Sequence, residues 1–112
     1  MRIDPYTGGR EMHAGLDVSA PIGTPVVAPA DGVVVFAGVR GGYGLSLVLD
    51  HSMGLMSHYG HLQSVSVQLG DLIVRGAPVA MLGNSGRSTG PHLHYEVRFN
   101  GIPENPRRYI LE

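Results

Sequence analysis

Cysteine is absent from this 112-residue chain. That excludes disulfide bonds, thiol nucleophiles and the cysteine-rich ligand sets of structural zinc sites, and it fits any redox compartment. Lysine is absent as well, because all eight basic residues are arginine. A carrier domain that holds a lipoyl or biotinyl group on lysine is therefore excluded on chemistry. Neither sign of charge dominates: eight basic and nine acidic residues leave a formal charge of −1. Such a balance offers no electrostatic footprint for nucleic acid or an anionic membrane. No apolar run approaches the roughly 20 residues needed to span a bilayer. No charged-then-apolar leader of the signal-peptide kind is visible. Helical stripes, sustained repeats and low-complexity tracts are missing too.

What the chain does contain is β-pattern. Val26-Val27, Gly32 to Phe36, Leu45 to Leu49, Leu55 to His61, Asp71 to Val74, Pro78 to Leu82 and His94 to Phe99 read as short strands. They are rich in Val, Leu and Ile and are separated by Gly, Pro, Asp and Ser. Leu45 to Asp50, the turn His51 to Gly54, and Leu55 onward read as a hairpin. Seventeen glycines suit a compact, turn-dense sheet better than a helical protein. The length is that of one domain, residues 1–112, with room for a single modest core. The short lead-in at Met1-Arg2-Ile3-Asp4-Pro5 suggests a domain excised from a longer protein.

The chemistry concentrates in histidine. Gly83-Asn84-Ser85-Gly86-Arg87-Ser88-Thr89-Gly90-Pro91 runs into His92-Leu93-His94-Tyr95-Glu96. On a strand, His92 and His94 project to one face while Leu93 points to the other, toward a core. Upstream stands His13-Ala14-Gly15-Leu16-Asp17, whose even spacing puts both polar side chains on one face of a strand. Catalytic zinc is commonly held by three nitrogen or oxygen ligands with one position left open. His13, Asp17 and one of His92 or His94 would make that set, with His61 in Tyr59-Gly60-His61-Leu62 left for acid–base work. A lone histidine is more often a surface or satisfied core residue; the joint pattern carries the argument. His51, before a turn, and His58, expected to face opposite to His61, read as structural or solvent-facing. Alternation along Leu55, Ser57, Tyr59 and His61 places Tyr59 beside His61.

These residues resemble the lysostaphin/LytM-type zinc endopeptidases, which cut peptide cross-links in bacterial peptidoglycan. The resemblance covers nearly the whole chain. It rests on Asp4-Pro5-Tyr6-Thr7-Gly8, His13-Ala14-Gly15-Leu16-Asp17, Pro25-Val26-Val27-Ala28-Pro29-Ala30-Asp31-Gly32-Val33-Val34, Tyr59-Gly60-His61-Leu62, Gly70-Asp71 and the Gly83 to Glu96 block. It implies an all-β, compact antiparallel sheet domain with an open groove, similar to a barrel-sandwich hybrid. It implies one Zn2+ per chain held by His13, Asp17 and His94, with His61 and His92 as the catalytic histidines. It further implies peptidoglycan peptides as partners and a place in the bacterial cell envelope, periplasmic or extracellular; the charge balance and hydropathy above add the expectation of no nucleic acid and no membrane contact from this segment, and a monomer is expected. The family's Gly-x-Arg lead-in is represented here only by Arg2.

Metal-assisted amide hydrolysis needs a base for water and an acid for the leaving amine. No His-Glu-x-x-His motif exists here, and Glu11 and Glu96 have no such setting. His61 and His92 are the available groups, and the division between them stays open. Tyr59 could donate to a developing oxyanion or serve packing. The main alternative is a LytM-like module without catalysis that binds cell wall or activates an amidase; relatives of that kind have lost metal ligands, and this chain keeps them. The Ala28 to Val33 and Gly70 to Gly76 segments look like hairpins of a biotinyl or lipoyl carrier, but no lysine follows. A D-alanyl-diaminopimelate link and a glycyl-glycine bridge both suit the family, with a lean by resemblance to the former.

Overall fold

The computed structural model of the chain describes residues 9–12, 15–86, 90–100 and 102–104. Ten strands appear in chain order: β1 (Gly9–Met12), β2 (Gly15–Ser19), β3 (Pro25–Val27), β4 (Gly32–Val39), β5 (Leu45–Asp50), β6 (Leu55–Val65), β7 (Leu72–Ile73), β8 (Pro78–Leu82), β9 (His92–Phe99) and β10 (Ile102–Glu104). A 3-10 turn, Gly41–Tyr43, lies between β4 and β5. Each strand expected from composition is present; β4 and β6 run further than the pattern suggested, β9 starts earlier, at His92, and β7 is cut to Leu72–Ile73 from the expected Asp71 to Val74. The fold is all-β, as the sequence indicated.

All described pairings are antiparallel, and they join into one open sheet in the order β1-β2-β9-β6-β5-β4-β7. β10 adds to β9, and β8 bridges β3 and β6. The expected hairpin of β5 and β6 forms with Leu47 opposite Tyr59 and Leu49 opposite Ser57. Its loop carries Ser52, Met53 and Gly54 at positive φ, and the Asp50 carboxylate accepts from the Ser52 amide at 2.8 Å. A short polar side chain that bonds its own backbone two residues on is what favours such a turn.

Alternation then divides the sheet into an apolar and a polar face. Along β9, Leu93, Tyr95 and Val97 are 0, 1 and 2% exposed and point into the core. They meet Leu47, Leu49, Tyr59, Val18 and Leu62 in one cluster, in which the Tyr59 and Tyr95 rings stand 5.4 Å apart. The intervening residues His92, His94, Glu96 and Arg98 share the opposite face. β6 and β2 flank β9 in register, His94 opposite both Gly60 and Asp17, and Ser19 opposite His92. The antiparallel pairing of β2 with β9 is therefore what brings Asp17 to His94 across a chain separation of 77 residues.

Candidate active site

The site is built where β2, β6 and β9 run side by side. His94 projects from β9 with its Nδ1 3.0 Å from Asp17 Oδ1 on β2. Its other nitrogen, Nε2, lies 2.7 Å from Glu96 Oε2. His92, two residues earlier, places Nε2 4.0 Å from Asp17 Oδ1, and its Nδ1 donates to the Gly90 carbonyl at 2.8 Å. The His61 ring stands 4.6 Å from that of His92 and 6.3 Å from that of His94. His61 Nδ1 donates to the Ser85 carbonyl at 2.7 Å. Since a carbonyl only accepts, both His61 and His92 carry their ring proton on Nδ1, and Nε2 is the nitrogen with the lone pair.

His61 reaches this cluster by breaking the strand's alternation. Its φ is +60°, in the left-handed region, and the β5–β6 register shifts between Leu45 and Leu47. A bulge of this kind turns a side chain to the other face. The expectation that Tyr59 stands beside His61 is corrected accordingly. Tyr59 is 2% exposed, packs on Tyr95 and shares a hydrogen bond with Ser57 through its hydroxyl, so it fills the core instead of facing the site. A left-handed histidine costs on the order of 1–3 kcal/mol and persists only where its surroundings over-determine it. Ser85 is part of that constraint. Its carbonyl takes His61, its hydroxyl donates to the Leu62 carbonyl at 2.6 Å, and it accepts from the Leu45 amide at 3.1 Å.

The Ser85 loop in turn lies against the turn before β5. A Cβ on Gly44 would sit 2.6 Å from the Gly86 nitrogen, and one on Gly86 would sit 2.5 Å from the Gly44 nitrogen. Both glycines also have positive φ. Two backbones can meet this closely only without side chains. The same turn delivers Tyr43, whose ring packs 5.2 Å from His94 and 6.3 Å from His61. Sequence reasoning missed Tyr43, which lies in Gly41-Gly42-Tyr43-Gly44 between two expected strands.

On β9 itself, sequence reasoning set Glu96 aside and missed Arg98. Glu96 is 2% exposed, and Arg98 donates to its Oε1 from Nε at 2.9 Å and from Nη2 at 2.7 Å. Burial alone would raise the Glu96 pKa, but the bonds from His94 and Arg98 outweigh it and hold the carboxyl at about 2. For His94 burial opposes the charged form, while Glu96 and Asp17 win and push its pKa up. Burial pushes His61 down, against the Ser85 carbonyl.

His58, read as structural or solvent-facing and expected to face opposite to His61, lies on the same polar face, opposite Glu96, and is half-buried. Its Nδ1 accepts from Arg40 Nη1 at 3.1 Å, and burial with Arg98 and Arg40 nearby lowers its pKa to about 4. His51 is structural: its ring bonds the Asp31 carbonyl and the Ser57 hydroxyl. His13 lies outside the described residues. Among the described residues no group of three or more metal-binding side chains forms. Asp17 and His94 nevertheless face each other with an oxygen and a nitrogen, and the second His94 nitrogen is held by a buried carboxylate. That donor chemistry suits a divalent zinc ion.

A strand-borne array of histidines beside a carboxylate on an open antiparallel sheet defines a hydrolase-type site. The comparisons with known proteins agree with this class. The model of Peptidase family M23 matches residues 11–106, and the chain belongs to that family. It is 48% identical over 106 residues to the DD-carboxypeptidase/endopeptidase Mpg of Neisseria meningitidis serogroup B, covering 94% of this chain and 24% of that protein. It is 42% identical over 110 residues to the peptidoglycan DD-endopeptidase ShyC of Vibrio cholerae serotype O1, covering 98% of this chain and 25% of that one. The chain thus spans about a quarter of the length of these relatives. The catalytic domain of the antimicrobial peptidase lysostaphin from Staphylococcus simulans superposes with a TM-score of 0.82 at 34% identity, over 88% of this chain and 78% of that one. The lysostaphin-type resemblance read from the motifs is borne out in family and in fold.

Proposed function

We propose that this chain is a single zinc-dependent endopeptidase domain acting in the bacterial cell envelope on peptide cross-links or stem peptides of peptidoglycan. His13, Asp17 and His94 would hold the metal, one zinc per chain. The observation that carries the reading is the opposite anchoring of the histidines: His94 turns Nδ1 toward Asp17, whereas His61 and His92 keep Nδ1 on backbone carbonyls. Zinc, when bound, supplies Lewis acidity toward the scissile carbonyl and acidifies water.

The chain's own residues supply the proton handling. An Nε2 with its proton on the far nitrogen is a ready base, and the imidazolium it becomes is a ready acid. Burial favours the neutral form of His61, so it enters the cycle unprotonated at neutral pH. Tyr43 walls the site and is 38% exposed, within reach of a bound peptide. The regulatory, non-catalytic reading is less favoured, because it goes with lost ligand positions, and His13, Asp17 and His94 all stand in this sequence. The relatives' names support the peptidoglycan substrate.

The test is digestion of purified peptidoglycans of both cross-link types, followed by mass spectrometry of the released muropeptides. New termini at a peptide bond of one type support the proposal and name the bond. Intact cross-links in both substrates, with zinc-loaded protein, contradict it.

A further inference from the structure

We infer that Glu96 is a positioning residue that dictates which nitrogen of His94 faces Asp17, and that Arg98 gives this control its direction. The inference rests on the reading of His94 as a metal ligand. Its basis is how the two oxygens of a 2% exposed carboxylate are shared out. Oε1 receives both Arg98 contacts, at 2.9 and 2.7 Å, and Oε2 takes His94 Nε2 at 2.7 Å. A carboxylate faces each ring nitrogen, Asp17 at 3.0 Å from Nδ1 and Glu96 at 2.7 Å from Nε2; the shorter contact to the buried, Arg98-bound carboxylate keeps the proton of the neutral ring on Nε2 and leaves Nδ1 with the lone pair toward Asp17. A metal needs that lone pair. Second-sphere partners of this kind fix tautomer and ring orientation, and losing them typically weakens metal binding about 10- to 100-fold.

Arg98 makes the substitution Glu96→Gln informative. A guanidinium has donors only, so it claims the single amide oxygen. The amide NH2 is then turned to His94 and makes Nε2 an acceptor. The ring proton moves to Nδ1, where it blocks the metal position. Removing Arg98 as well frees the amide to rotate, present its oxygen to Nε2–H and restore the original tautomer. The pair therefore behaves non-additively, with the second substitution repairing the first.

Four proteins test this: the parent, Glu96→Gln, Arg98→Met and the double variant, each checked for folding by circular dichroism and thermal melting. Zinc affinity, read by chelator competition, should fall about 10- to 100-fold for Glu96→Gln, change little for Arg98→Met, and recover at least several-fold in the double variant relative to Glu96→Gln. A purely structural role predicts that the losses add. In zinc-free protein at alkaline pH, 15N spectra should show the His94 ring proton on Nε2 in the parent, on Nδ1 in Glu96→Gln, and back on Nε2 in the double variant. Unchanged ring shifts between parent and Glu96→Gln, or a folded double variant that binds zinc more weakly than Glu96→Gln, would overturn the inference. Ring shifts that respond as described in a parent that takes up no zinc would remove the metal reading and leave the control of His94 orientation standing.

Discussion

Two of the site's histidines are held by the main chain and one by a carboxylate. His61 and His92 each give Nδ1–H to a loop carbonyl, of Ser85 and Gly90 respectively. His94 instead rests on Glu96, a buried carboxylate locked by Arg98. A neutral carbonyl fixes a ring without adding basicity, which suits a group that must gain and lose a proton. A carboxylate behind a ring raises its basicity and keeps one nitrogen aimed outward, which suits a ligand. Identical side chains a few ångströms apart are thus given different chemistry by what stands behind them.

The comparison predicts different failures on its two sides. The largest effect belongs to the ligand side. Asp17→Ala removes the oxygen that faces His94 Nδ1, and the protein is expected to lose most of its zinc; elemental analysis after dialysis measures it, and zinc retained at the parental level would refute the ligand assignment. On the backbone-anchored side, His61→Ala should keep zinc and fold while cleavage falls by about two orders of magnitude or more, the usual scale for a positioned acid or base. Peptide-release kinetics with metal content determined on the same sample decides this, and near-parental turnover would sink the role.

A smaller effect tests the polar network beyond the cluster. Folded His58 takes a proton only near pH 4, against an ordinary value of 6.5, because burial disfavours its charge and Arg40 occupies Nδ1. Between those values the unfolded chain binds the extra proton. Stability is therefore full above the ordinary value and declines as pH falls through the window, by about 3 kcal/mol over the whole of it. Urea denaturation of the parent and of His58→Asn across that range should show the decline reduced in the variant. The smallest effect lies in the core. Tyr95 Oη is buried with no hydrogen-bond partner among the described residues, so Tyr95→Phe should be neutral or stabilising by up to about 1 kcal/mol. A clear loss in the melting temperature would mean that the hydroxyl has a role in the core.

Much of this was legible in the sequence because strands alternate. The pattern His92-Leu93-His94 correctly sent Leu93 inward and paired the histidines, and the hairpin around His51 to Gly54 followed from its turn residues. The same rule, carried two and four residues further, would have put Glu96 and Arg98 beside His94; what the pattern could not show is that this polar face is covered and the carboxylate buried. Alternation also misled. It joined Tyr59 to His61, because a left-handed residue inside a strand leaves no mark in the sequence when the residue is histidine. Tyr43 reaches the site through the contact of Gly44 with Gly86, a meeting of distant turns that local pattern does not encode.

The central claim is that anchoring decides each histidine's task, and the paired variants His92→Ala and His94→Ala test it most directly. They remove neighbouring rings from one face of one strand, one resting on a loop carbonyl and the other on a buried carboxylate. Zinc affinity by chelator competition is the readout. The account predicts that His92→Ala binds zinc as the parent does while His94→Ala loses it. Equal losses in the two, or loss in His92→Ala alone, would contradict the account.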